Sequence, residues 1–455
     1  MRMKRLITFF LLMALGLSLG AQEAAVRLFA ENPDRASNNM HSYEFNPIVD
    51  TPAPEGFTPF YITHYGRHGS SYEQNSTFAR TAQAAFPYLD SLGLLTPAGK
   101  ALWADVNTIV DAHKGMEGSL TPRGAQEHRL LAARMGDRYP SVFQDASRTE
   151  VNCFSSTNFR CIMSMTNFIY SLKEKYPAQQ FTFTSAEKFM AYINPSLNIR
   201  RPGEPAPQRP PFPMGGFPGM GRPTGIPPHA PAPGQPGYDF SRFLRQIVTD
   251  YDAALRALGN PEPFVRAIFT TGGLCQLIDF LGVDIYRKYF TPEELAYLWA
   301  EGNDNIYRMW AGSKENGDVI RYAIRPLMMD FVEKADAAIA PGSHRAADLR
   351  FGHDTSILPL FALMRVDDPE GRIFPYREAH LHDWFAFFQV PMATNCQMVF
   401  YRNDKGEVLT KVLYNEKEIL IPGVKPVSGP YYRWSELRAH FIHLCEQATE
   451  VWNNG

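Results

Sequence analysis

The run Pro59-Phe60-Tyr61-Ile62-Thr63-His64-Tyr65 is almost wholly apolar and stops abruptly at Gly66-Arg67-His68-Gly69-Ser70-Ser71. Short, rich in aromatic and β-branched residues and bounded by glycine, it predicts a buried strand. A second such run, 346–351, ends in Gly352-His353-Asp354-Thr355. Helical spacing of apolar positions fills 78–92 and 97–114. Thr121 reads as an N-cap with Pro122 at the first helical position, opening a helix to about Arg138. A short strand at 151–154 leads into a helix at 158–175, and 181–184 reads as another strand.

From there to residue 339 the pattern is helical, at 240–258, 274–280, 291–309 and 320–339, with no clear strand between. Strands resume at 346 and follow at 398–401 and 408–413, and a helix at 434–446 closes the chain. The order predicts an α/β protein: an open mixed sheet flanked by helices, built from 22–184 and 340–455, with a mostly helical insertion at 185–339. Inside the insertion, 201–237 holds 13 of the chain's 36 prolines. Too few aliphatic side chains lie there to offset the entropy of ordering, so an extended or disordered loop is expected.

Composition narrows the class. A chain of 455 residues with 45% hydrophobic and 20% charged content can bury a substantial core. A formal net charge of −2 excludes a broad nucleic-acid-binding surface. Residues 1–21 read as a secretory signal peptide: Arg2, Lys4 and Arg5, an apolar stretch at 6–19, then Gly20-Ala21 before Gln22. Export to the periplasm or medium is therefore expected, and no later run is long and apolar enough to span a membrane. Five cysteines are an odd number. Cys153 and Cys161 form the one close pair, and buried free thiols are the simpler reading.

Two histidines, each just past a strand and beside a charged residue and a glycine, suit a site at the carboxyl edge of an α/β sheet. Arg67-His68 and His353-Asp354 would meet there and suit a dianionic ligand such as phosphate. Ser155, Ser156 and Thr157 precede a helix whose first N–H groups favour anions, and Arg160 lies in its first turn. His380 and His382 alternate as a metal pair could, but further ligands at supporting spacing are lacking, so packing or surface roles are read for them. No metal and no cofactor is expected. His440 and His443 share a helix face without partners, His64 can support the strand end or His68, and His128 has no assigned role.

These elements, in this order, resemble the histidine acid phosphatases, the phosphohistidine branch that also holds phytases and multiple inositol-polyphosphate phosphatases. Arg67-His68-Gly69 and His353-Asp354 match its two motifs. Leu120-Thr121-Pro122-Arg123-Gly124-Ala125-Gln126 and Ser155-Ser156-Thr157-Asn158-Phe159-Arg160 match two elements between them. The resemblance implies that the insertion caps the active-site mouth. It further implies His68 as nucleophile, Asp354 as proton donor and then base, and Arg67, Arg160 and His353 as phosphate ligands. The substrate would be a small phosphate monoester, inositol polyphosphates among the candidates. His353-Asp354-Thr355 looks more like the acid phosphatase and phytase branch than the His-Ala-Glu of the inositol-polyphosphate branch. One position departs from the pattern: where the family's first motif has a second arginine, this chain has Ser71. One neutral donor replaces a charge-assisted bidentate one, so phosphate should be held less tightly. The alternative reading is accordingly a phosphoryl-ligand-binding protein with weak or no turnover.

Overall fold

The structure, a computed structural model, describes residues 23–74, 77–197, 238–367 and 374–454. The leader expected at 1–21 and the proline-rich tract at 201–237 lie outside the described residues. Among the described residues, eight strands form one mixed sheet in the order β3-β2-β4-β1-β5-β6-β7, with β8 paired to β6. They are β1 (Thr58–Arg67), β2 (Glu150–Ser155), β3 (Gln180–Thr184), β4 (Arg345–Gly352), β5 (Asn395–Arg402), β6 (Val408–Tyr414), β7 (Lys417–Ile419) and β8 (Tyr432–Arg433).

Strands β3, β2, β4 and β1 run parallel, and β5 then pairs antiparallel to β1. The register is what matters for function. Arg67, the last residue of β1, lies opposite Gly352 at the end of β4, and Ser155 at the end of β2 lies opposite Phe351. Three carboxyl ends therefore converge on one edge. The central strands are buried on both faces, which explains why their sequences read as near-continuous apolar runs.

One face of the sheet packs on the helices Gly317–Ile339, Asp354–Met364 and Trp434–Asn454, with Tyr61, Tyr65, Phe331, Phe361 and Phe441 in a common core. The other packs on Pro122–Arg138 and Phe159–Lys175 through Ile62, Leu131, Phe168 and Leu349. A third apolar cluster joins the helices of 240–300 to Thr77–Ser91, Pro97–His113 and the N-terminal helix at 23–31. The helix Gly317–Ile339, read from sequence as the end of the insertion, thus covers the sheet itself, while two helices that precede β2 pack with the inserted ones.

Several elements differ from the sequence expectation for clear reasons. The stretch 240–258 is two helices, Ser241–Ile247 and Tyr251–Leu258, because Val248 bridges to Leu95 and Asp250 caps the second through its bond to Ala253 N. The helix Glu262–Gly273 begins among Pro261 and Pro263, which are tolerated in a first turn but hide the pattern that follows. The helix Asp354–Met364 is buried at every position from Ser356 onward, so it has no amphipathic period to read.

Candidate active site

The His68 loop is shaped by close backbone approach. A Cβ on Gly69 would sit 2.5 Å from Gly124 O, and one on Gly124 would sit 2.1 Å from Ser70 O. Only glycine fits at either point, which gives a physical reason for both glycines of the two sequence elements. Thr121 ties these elements together: its hydroxyl accepts from Gly124 N at 3.1 Å, capping the helix, and donates to Ser70 O at 3.0 Å. Glu127, one turn further on, is buried and accepts from Ser70 N (2.7 Å), Ser70 Oγ (2.8 Å) and Tyr43 N (3.1 Å). Burial raises the Glu127 carboxyl from its ordinary range, although those bonds and Arg123 pull it down. Gly69 N donates to Ser164 Oγ at 3.1 Å. The loop is therefore held from three sides.

His68 is buried, and its backbone N–H donates to Gly352 O at 2.9 Å, locking the two strand ends together. Its Nδ1 lies 2.9 Å from Gly69 O. A carbonyl can only accept, so Nδ1 carries the proton and the lone pair resides on Nε2. Burial, then the charges of Arg160 and Arg67, hold the ring's pKa well below its ordinary value. The imidazole is neutral at physiological pH and presents a free nucleophilic nitrogen.

Around it stand the other residues predicted from sequence, with Ser71 set apart. Arg67 is buried; its Nη1 donates to Asn39 O (2.5 Å) and Val390 O (2.7 Å), and its Nη2 lies 2.9 Å from Asp354 Oδ2. Among the described residues its Nε–H has no protein acceptor. Arg160 donates from Nη1 to Asn158 Oδ1 at 2.9 Å and from Nη2 to His353 Nδ1 at 3.3 Å. With its amide oxygen turned toward the guanidinium, Gln74 also accepts from Arg160. Because a guanidinium only donates, His353 Nδ1 is the acceptor, and its Nε2–H points to Ser156 Oγ at 3.1 Å. Burial and then Arg160 push His353 below its ordinary pKa. The His68 and His353 rings meet edge to face, centroids 5.5 Å apart.

Asp354 opens its helix with His353 as N-cap. Its Oδ2 accepts from Asn39 Nδ2 at 2.9 Å as well as from Arg67, and its Oδ1 accepts from Thr355 N at 3.0 Å. Burial raises its pKa, but Arg67, His353, Asn39 and Arg160 together outweigh burial and leave it below the ordinary carboxylate value. Ser71 is also buried, bridged through its backbone to Leu120, and is not among the contacts of these charged groups.

Three contributors were not assigned from sequence. Asn39 and Gln74 act across long separations or from an irregular stretch, and no local pattern marks them. Ser156 was placed at the anion-favouring turn, but its role as partner of His353 depends on the β2–β4 register. His64 packs between Phe168 and Phe351, and His128 packs against the same rings, so both belong to the core beneath the site. His380 binds Asp304 through its backbone N (3.0 Å) and Nδ1 (2.9 Å), and His382 stacks on Phe374. No group of three or more potential metal ligands occurs among the described residues. Among the described residues all five cysteines are free and buried, and Cys161 Sγ lies 3.5 Å from His353 Nε2.

No family model matches the chain, and no curated protein matches it by sequence. Solved structures do match. The multiple inositol polyphosphate phosphatase of Bifidobacterium longum, in complex with inositol hexasulfate, superposes with a TM-score of 0.68 at 17% identity, over 90% of this chain and 97% of that one. The phytase of D. castellii superposes with a TM-score of 0.62 at 14% identity, over 90% of this chain and 85% of that one. The parallel strands that carry Arg67-His68 and His353-Asp354 to one sheet edge are thus part of a shared architecture, and the chain has the α/β histidine phosphatase fold.

Proposed function

We propose that the protein is an exported phosphomonoesterase of the histidine acid phosphatase type, acting through a phosphohistidine on His68. The observation that carries this reading is the fixed tautomer of His68: a neutral ring with its Nε2 lone pair free, in a buried site with two guanidinium groups. Phosphate monoesters resist attack because the dianion repels nucleophiles, and cationic donors on the phosphoryl oxygens relieve that repulsion. Nε2 of His68 attacks phosphorus while the ester oxygen leaves, taking a proton from Asp354. The now ionised Asp354 accepts a proton from water, whose oxygen attacks the phosphohistidine and releases phosphate and neutral His68. Arg67 and Arg160 would hold the phosphoryl oxygens during both transfers, joined by His353 once its Nε2–H turns from Ser156 to the anion.

The sign of the pH dependence follows from Asp354. Its carboxyl sits below its ordinary pKa, yet the first step needs it protonated. A bound phosphate dianion raises it, and acid favours the reactive form. Inositol polyphosphate is a candidate substrate because a structural neighbour is a phosphatase for that class and another is a phytase. The charged start and apolar stretch of residues 1–21 support export.

A second reading, phosphoryl binding with weak or no turnover, is favoured by one observation. Ser71 replaces a charge-bearing residue, while Arg67 is already engaged by two carbonyls and Asp354. Steady-state assays with 4-nitrophenyl phosphate and with phytate, from pH 3 to pH 8, decide between them. Turnover that rises toward acid and vanishes in His68→Ala supports the enzyme. Saturable phosphate binding without turnover supports the second reading.

A further inference from the structure

The N-terminal segment reaches the site from the side of the inserted helices. It runs as a 3-10 helix, Pro33–Met40, that kinks at Asn38, whose φ of 57 and ψ of −126 form a strained pair for a residue with a side chain. The kink is held from outside the sheet: Asn38 Nδ2 donates to Trp299 O at 3.2 Å, and Gln276 donates to Asp34 O and Ser37 Oγ while accepting from Ser42 N. The residue after the kink, Asn39, touches both members of the Arg67–Asp354 ion pair. Its carbonyl accepts from Arg67 Nη1 at 2.5 Å and its Nδ2 donates to Asp354 Oδ2 at 2.9 Å.

We propose that Asn39 is a positioning residue, delivered by the strapped N-terminal segment, that orients the Asp354 carboxyl and the Arg67 guanidinium toward the reacting phosphoryl group. The claim rests on the phosphatase reading for its consequence in turnover, but not for its geometry. An amide N–H donated to a carboxylate favours the ionised form, and its removal favours the protonated one. Asn39 shares this influence with the charged and titratable groups that act on Asp354 among the described residues. Those groups are Arg67 from β1, Arg160 and Cys161 from the helix Phe159–Lys175, Tyr65 from β1, and the adjacent His353. Only Asn39 comes from the N-terminal segment, and it ties the proton donor to the inserted helices through the Asn38–Trp299 bond. The strain at Asn38 is then the cost of aiming the next side chain inward.

Asn39→Ala and Asn39→Ser both lose the reach to Asp354 while keeping the backbone carbonyl that Arg67 uses. Carboxyl-carbon NMR on protein labelled at aspartate, with the Asp354 signal assigned by its loss in Asp354→Asn, reads the ionisation directly. The midpoint should move upward by roughly one pH unit in both variants, the size expected for one lost hydrogen bond to a charged group. An unmoved midpoint in a folded variant overturns the proposal. In turnover of 4-nitrophenyl phosphate, the alkaline limb of kcat/KM should move up by the same amount. A fall in kcat equal at every pH, with no moved limb, would show a merely structural role and also overturn it. If the wild type proves inert toward monoesters, the carboxyl titration still decides the role of Asn39, and the failure belongs to the phosphatase reading.

Discussion

At the scale of single residues, the site depends on which atoms each side chain leaves free. Gly69 O occupies Nδ1 of His68 and so exposes Nε2. Arg160 is the guanidinium whose bonds run to side chains alone, those of Asn158, Gln74 and His353. Removing it should both strip a charge from the phosphoryl oxygens and release His353. We expect Arg160→Ala to lower kcat/KM for 4-nitrophenyl phosphate by roughly a hundredfold, as loss of one preorganised donor does elsewhere; a change under threefold would exclude it from the site. Ser71→Arg tests the departure from the motif. If position 71 still faces the anion, one added charge-assisted contact should lower the inhibition constant for inorganic phosphate about tenfold. Inhibition unchanged or weaker would mean that Gln74 and Arg160 already fill that space. Arg67, His68, Arg160, His353 and Asp354 were all legible in the sequence because each sits at an element boundary. Asn39 was not, since its partner Asp354 is 315 residues away.

At the scale of elements, the helix Pro122–Arg138 does more than pack. Its cap residue Thr121 and its third residue Gly124 hold the His68 loop, and Glu127 accepts from the loop backbone. Thr121→Ala removes the cap and the tether to Ser70 together, and should cost about 1–2 kcal/mol in denaturant unfolding. Gly124→Ala is the harsher change, because its Cβ would press on the Ser70 backbone as well as on Leu120, and the backbone cannot swing aside. We expect it to lower kcat more than tenfold while the sheet stays folded, read by kinetics beside circular dichroism; full activity would contradict the close approach. The Thr121 helix was readable to within a residue, since a cap, a proline and a period announce it. The helix after Asp354 was hidden because all its faces are buried, and the break at 248–250 because a tertiary bridge to Leu95 decides it.

At the scale of the whole molecule, acid is both the proposed working condition and a threat. His64 and His128 are fully buried, and burial pushes each down to about 3 from an ordinary 6.5. Between those values the unfolded chain binds protons that the folded chain does not. Their contribution to stability is therefore complete above the ordinary value and is lost as pH falls toward 3. We predict that the urea midpoint falls steadily between pH 6.5 and pH 4, and that His128→Phe, which keeps the ring contacts with Phe168 and Phe351, flattens the fall. A midpoint independent of pH would show that neither ring is neutral and buried. On the proposed phosphatase reading, activity would be drawn toward acid by the need to protonate Asp354 and limited there by the need to keep these histidines neutral. The sheet and the run of helices between β3 and β4 were foreseeable from the order of periods along the chain. The division of helices between sheet and insertion was not, because Gly317–Ile339 and Thr77–Ser91 have similar patterns and only packing assigns their layers.

In the proposed mechanism His68 carries the phosphoryl group. Rapid acid-free quench with radiolabelled 4-nitrophenyl phosphate, followed by peptide mapping, tests it most directly. The expected result is a label on His68 that is stable in base and lost in acid, formed at the rate of the first turnover and absent from His68→Ala, which should be inactive. Near-normal turnover in His68→Ala, with no labelled histidine in the wild type, would contradict it.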